Sequence, residues 1–175
     1  MKNNPMILFV FSFLVGCMNT TTNAPDKWQT HIDEANHFSI NYPDMWQKNI
    51  KGSTLTFLSP KENDKDGFNE NVNIIVQDLS KQPINIEEYT ALTKKQVVSA
   101  FGESAIISLK NIKLGNFSAK EMVYNMNYKG RNLKIKQDWV VKGNTAYLLT
   151  YTAEPQEYDH FLETASKIMD SLKFL

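Results

Sequence analysis

His37-Phe38-Ser39-Ile40-Asn41-Tyr42-Pro43-Asp44-Met45-Trp46 is the stretch on which the reading of the fold turns. Phe38, Ile40 and Tyr42 alternate with polar neighbours, the two-residue period of a strand with one buried face. Pro43 has no amide hydrogen to give a sheet and ends that strand, and Pro43-Asp44 turns the chain toward Trp46. Moving outward to the C-terminal side, a second short strand is expected over 46–50, Gly52-Ser53 turns, and a third strand follows over 54–59. Pro60 then opens a long polar loop through Glu70. Val72, Ile74 and Val76 mark a fourth strand with a single apolar face.

Asn85-Ile86-Glu87-Glu88 signals a helix start, because Asn85 can cap the Glu88 amide while the Glu88 side chain reaches back to the Asn85 amide. The helix is expected to run to about Phe101, with Tyr89, Leu92, Val97 and Phe101 near one face and Gly102 at its end. A β-rich half follows: strands over 105–114, 117–128, 133–141 and 146–152, with turns at Gly115-Asn116, Gly130-Arg131-Asn132 and Lys142-Gly143-Asn144. Leu133, Ile135, Trp139 and Val141 share one face of their strand, and Lys134 and Lys136 share the other. Pro155 suits the first turn of a last helix. Tyr158, Phe161, Leu162, Ala165, Ile168, Met169 and Leu172 give that helix a continuous apolar stripe, which must be buried on the sheet. Residues 172–175 read as a short extended tail.

The order is four strands, a helix, four strands and a final helix, opened by the Tyr42-Pro43 turn and Trp46. It resembles the PsbP-like family, named for an extrinsic subunit of the photosynthetic oxygen-evolving complex. The opening strand, the meander ending at Tyr151 and the closing helix with Tyr158, Phe161, Ile168 and Phe174 carry the resemblance, over about residues 37–175. It implies an α+β domain, an α/β/α sandwich around a mostly antiparallel sheet, and for bacterial relatives a lipid-anchored envelope protein. The family includes accessory and binding proteins and shares no active-site motif, so the resemblance carries over no catalytic residue.

On the N-terminal side the decisive residues are Leu14-Val15-Gly16-Cys17, which hold the only cysteine. Lys2 supplies a positive start, residues 6–15 form an apolar segment of signal-peptide length, too short to span a bilayer, and Gly16 precedes the thiol. The layout resembles the lipobox of bacterial lipoproteins. It implies diacylglycerol on the Cys17 sulfur, cleavage after Gly16 and acylation of the new amino group. Two or three chains, at about 0.8 kcal/mol per buried CH₂, would anchor the protein stably. An ordinary signal cut after Ala24 would lie nine residues beyond the apolar run. A buried core cysteine fits poorly with the polar residues 19–23 that follow. The expected organisation is a signal peptide over 1–16, a lipidated tether over 17–35, where Trp28 and Ile32 could instead begin packing on the domain, and a PsbP-like domain over 36–175. Met18 is not the aspartate of inner-membrane retention, which points to the outer membrane, facing the periplasm, in a cell that has one.

The 175 residues carry 19 basic and 19 acidic side chains, so no global attraction to nucleic acid is expected. With Cys17 committed to lipid no disulfide is available, and stability must come from the core. The charge is uneven: 110–142 has a net charge of +6 and 154–170 has −4. Lys134 and Lys136 side by side could meet anionic headgroups or an acidic partner, although a solvated strand face that discourages edge pairing is the simpler reading. Glu62-Asn63-Asp64-Lys65-Asp66-Gly67 is a broken calcium-loop pattern. Glu62 stands in the first position, Asn73 where a closing glutamate belongs, and strands flank it where helices should.

His31, His37 and His160 do not cluster in sequence, so no metal ligand set is expected; nor is any cofactor or catalytic set. The function expected is therefore a non-enzymatic, lipid-anchored module that binds a protein or envelope component. The alternatives are a carrier of a small apolar ligand, lined by Met122, Tyr124, Met126 and Tyr128, and a hydrolase whose site is scattered through the chain.

Overall fold

In a computed structural model, residues 27–64 and 66–175 are described. The chain forms β1 (Trp28–Asp33), β2 (Phe38–Pro43), β3 (Gln47–Lys51), β4 (Thr54–Leu58), β5 (Asn71–Asp78), α1 (Ile86–Phe101), β6 (Ile106–Leu114), β7 (Phe117–Tyr128), β8 (Arg131–Lys142), β9 (Thr145–Ala153), α2 (Tyr158–Asp170) and β10 (Lys173–Phe174). Seven strands make one antiparallel sheet in the order β3-β4-β5-β9-β8-β7-β6, and β1-β2-β10 make a smaller antiparallel one. This is the α+β arrangement expected.

The large sheet is buried on both faces at its centre, while its edge strands β3 and β6 are largely exposed, and each face carries its own core. On one side Tyr89 and Val97 of α1 pack with Met122, Tyr124, Leu133, Ile135, Trp139 and Leu148. On the other, Phe161, Ala165, Ile168 and Met169 of α2 share a core with Val72, Ile74, Leu149 and Tyr151, and with Phe38, Ile40 and Tyr42 of the small sheet. The aromatic opening of the domain therefore belongs to a layer laid across the large sheet. Tyr42 stacks on Phe57 with ring centroids 4.6 Å apart, and Trp46 meets Phe161 edge-on at 6.1 Å.

The local signals that set α1 are realised as expected. Asn85 accepts from the Glu87 and Glu88 amides, the Glu88 carboxylate accepts from the Asn85 amide, and Gly102 ends the helix at φ 88°. Other boundaries differ. The tether expected over 17–35 gives way to structure by Trp28, because Trp28–Asp33 pairs along its whole length with Phe38–Pro43. The strand is hard to see in sequence because its inward face is polar: Gln29 accepts from the Tyr42 hydroxyl at 2.8 Å and His31 lies against Phe38, while Trp28 and Ile32 point outward.

The turn expected at 130–132 is tighter. Lys129 (φ 51°) and Gly130 (φ 83°) alone join β7 to β8. Pro155 lies before α2 and not in its first turn, since Glu157 is the residue at the helix cap. The tail is in part a strand: β10 pairs with β2, and Phe174 packs against Tyr147 and Phe117 at 4.8 and 4.9 Å.

Candidate functional site

Between β4 and β5 the chain runs through residues 59–70, and Asp66 organises the described part of this connection. Asp66 accepts from the Glu62 and Phe68 amides, so its oxygens are occupied by the local backbone. A carboxylate engaged in this way closes a turn, which is how the structure accounts for the calcium-like spacing. At its far end Glu70, expected to close a long polar loop, is 1% exposed. It lies beneath the segment joining β9 to α2 and accepts from the Glu154 amide at 3.2 Å. Burial, which outweighs those amide contacts, pushes the Glu70 carboxyl up to about 7. Arg131, at the start of β8, closes the same corner: its guanidinium pairs with Glu154 and lies over the Phe68 ring at 5.3 Å.

The other limb of the loop reaches the first turn of α2. Glu62 Oε1 is 3.2 Å from Nδ1 of His160, and Glu157 Oε2 is 3.9 Å from the same nitrogen. The ligand atoms of Glu62, Glu157 and His160 all lie within 4.8 Å of one another. Burial, then the hydrogen bond and charge of Glu157, raise the Glu62 carboxyl, while His160 opposes the rise. Two carboxylates and an imidazole with this reach are the residues here that could hold a divalent cation or share a proton. The sequence hides the trio because Glu62, on a loop, lies 95 and 98 residues from Glu157 and His160 at a helix start.

The Lys134 and Lys136 face is the clearest correction. The two side chains do share one side of β8, as alternation requires, but that side is not solvated. Lys136 is buried between Glu121, at 3.3 Å, and the fully buried Asp138. Lys110 reaches Glu121 from β6 at 2.9 Å. Lys134 lies 3.9 Å from the centroid of the Tyr158 ring. Burial raises the Asp138 carboxyl to about 6 despite the neighbouring Lys136 ammonium. The solvated-face reading and the headgroup-binding reading both fail for Lys136, because the charge is used internally.

Met122, Tyr124 and Met126, expected as a possible pocket lining, are buried core residues under α1, and Phe101 stacks on Tyr124 at 6.2 Å. The cavity nearest to them is an open surface hollow of about 620 Å³ between Phe101, Ser104, Asn127 and Pro155. His31 is partly buried against Phe38, and burial, followed by Lys48, lowers its imidazole below the ordinary value. No helix among the described residues is long and apolar enough to cross a membrane. Cys17 lies outside the described residues.

The PsbP family model matches residues 26–174, which takes in every strand and helix of both sheets. The chain belongs to the PsbP family. Solved structures of similar fold include the cyanobacterial PsbP of Synechocystis, at 14% identity with a TM-score of 0.57 over 91% of this chain and 98% of that one. LpqN of Mycobacterium tuberculosis, described as involved in cell envelope biogenesis, is similar at 13% identity and TM-score 0.54, over 86% of this chain and 85% of that one. A Bacteroides thetaiotaomicron structure matches at 17% identity and TM-score 0.54 over 83% of this chain, which spans about half (48%) of that longer protein. No curated protein matches the sequence. At these identities the likenesses to solved structures speak for the fold alone, and the chemistry rests on the chain's own residues.

Proposed function

We propose that this PsbP-family chain is a lipoprotein of the bacterial envelope that acts as a non-enzymatic accessory module, holding a protein or envelope component close to the membrane. The observation that carries the reading is Leu14-Val15-Gly16-Cys17 placed nine residues before the start of the family match at residue 26. A lipid on Cys17 would leave little chain between the membrane and the folded body. The accessory part is supported by the filled cores on both faces of the large sheet and by the family itself, and the envelope part by the fold shared with LpqN.

The corner where loop 59–70 meets α2 is the face we favour for the partner. It gathers Glu62, Glu154, Glu157, His160 and Arg131, and polar rims of this kind set specificity in protein recognition. The test is crosslinking in intact cells followed by capture through the domain, with the native chain, Cys17→Ala, and a Glu62→Lys/Glu157→Lys chain side by side. One crosslinked species lost in both variants is expected. A crosslinking pattern identical in all three would overturn the proposal.

A further inference from the structure

The described residues expose six large apolar side chains: Trp28, Ile32, Ile50, Ile107, Leu109 and Leu175. Three of them, Trp28, Ile32 and Leu175, belong to the outward face of the small sheet. On β1 the pleat sends Gln29 and His31 inward onto Tyr42 and Phe38, so Trp28, Thr30 and Ile32 face out. On β10 Phe174 points into the core, so its neighbours Lys173 and Leu175 face out, and the Leu175 amide is held by the His37 carbonyl at 2.9 Å. The domain holds three tryptophans and buries two, Trp46 at 3% and Trp139 at 0% exposure, yet leaves Trp28 at 40%.

We infer that this outward face of the small sheet rests on the lipid bilayer, with Trp28 at the level of the headgroups. The inference rests on the reading of Cys17 as the lipid anchor. Ten residues separate Cys17 from Trp28. Fully extended they reach at most about 35 Å, so an anchored chain keeps β1 within that distance of the membrane. Tryptophan, with an apolar body and a polar N–H, is the side chain that membrane–water interfaces favour, and Ile32 and Leu175 add apolar area beside it. Lys173, on the same face, can reach lipid phosphate. The polar inward face of β1 fits this arrangement, because the strand's apolar residues then also leave water.

The test uses the mature protein purified from its own membrane and reconstituted in phosphatidylcholine vesicles, with and without brominated acyl chains. Mass spectrometry of Cys17 and vesicle flotation are run on the same material. Trp28 is the one tryptophan among the described residues that solvent reaches, so bromolipid quenching should reduce emission by about a quarter or more. The quench should disappear in Trp28→Phe and fall at least twofold in Ile32→Glu, an exposed position whose change leaves the core intact. Lipidated protein that floats but shows no quench would overturn the docking alone. A bare thiol and no flotation would overturn the Cys17 reading and the docking together. An emission shift that follows protein concentration and ignores bromolipid would give the face to a second copy of the chain, and so also overturn the inference.

Discussion

Glu70 shows how a single side chain in a nominally polar loop can become a structural acid. Its carboxyl, raised to about 7 by burial, binds a proton in the folded chain at pH values where the unfolded chain has released it. The folded state then holds more protons than the unfolded one between about pH 4.5 and 7, so stability falls as pH rises through that window. Glu70→Gln keeps an oxygen for the Glu154 amide but cannot ionise. Chemical denaturation should show the variant more stable than the native chain at pH 8, by on the order of 1–2 kcal/mol, and indistinguishable at pH 4. A second residue-scale prediction concerns Lys129, which adopts a left-handed backbone in the two-residue turn before Gly130. Asparagine tolerates that conformation better, so Lys129→Asn should raise the melting temperature, through a gain of about 1 kcal/mol. Sequence could not reveal Glu70, because its burial is imposed by the Glu154 segment 84 residues away.

Among the elements, β8 is the one whose two faces were legible in sequence and whose environment was not. Alternation correctly separates Leu133, Ile135 and Trp139 from Lys134 and Lys136, but it does not say that Glu121 on β7 lies directly opposite Asp138. That register turns a run of lysines into a buried charge cluster. Removing one member of such a cluster leaves the others desolvated without compensation. Lys136→Met should therefore destabilise by about 3 kcal/mol, and Lys136→Met/Asp138→Asn should recover at least half of that loss in a double-mutant cycle read by denaturation. Additive losses would mean that the cluster is wet and weakly coupled. α1 lies at the other extreme, since its capping box, its glycine stop and its buried Tyr89 and Val97 were all local and all readable. β1 was missed for a physical reason: its apolar residues face away from the core, so the period-two signal points to the wrong side.

For the molecule as a whole, the question is whether the small sheet is an appendage or part of one folding unit. Its central strand contributes Phe38, Ile40 and Tyr42 to the same core as α2, all at 5% exposure or less, and Phe174 of β10 bridges to Tyr147 and Phe117 on the large sheet. Burying four such side chains stabilises the contact by roughly 6–12 kcal/mol on transfer scales, comparable to the whole stability of a domain of this size. The small sheet therefore cannot come away without exposing the core it covers. Hydrogen exchange should show the amides of β2 opening only with the free energy of global unfolding, matching β5, β8 and β9. The exposed strand β1, held by pairing on one side alone, should open several kcal/mol more easily. Phe174→Ala should lower the protection of β2 and the large sheet together, by about 3 kcal/mol. A loss confined to β2 would instead make the small sheet a separately opening unit, able to move without unfolding the rest.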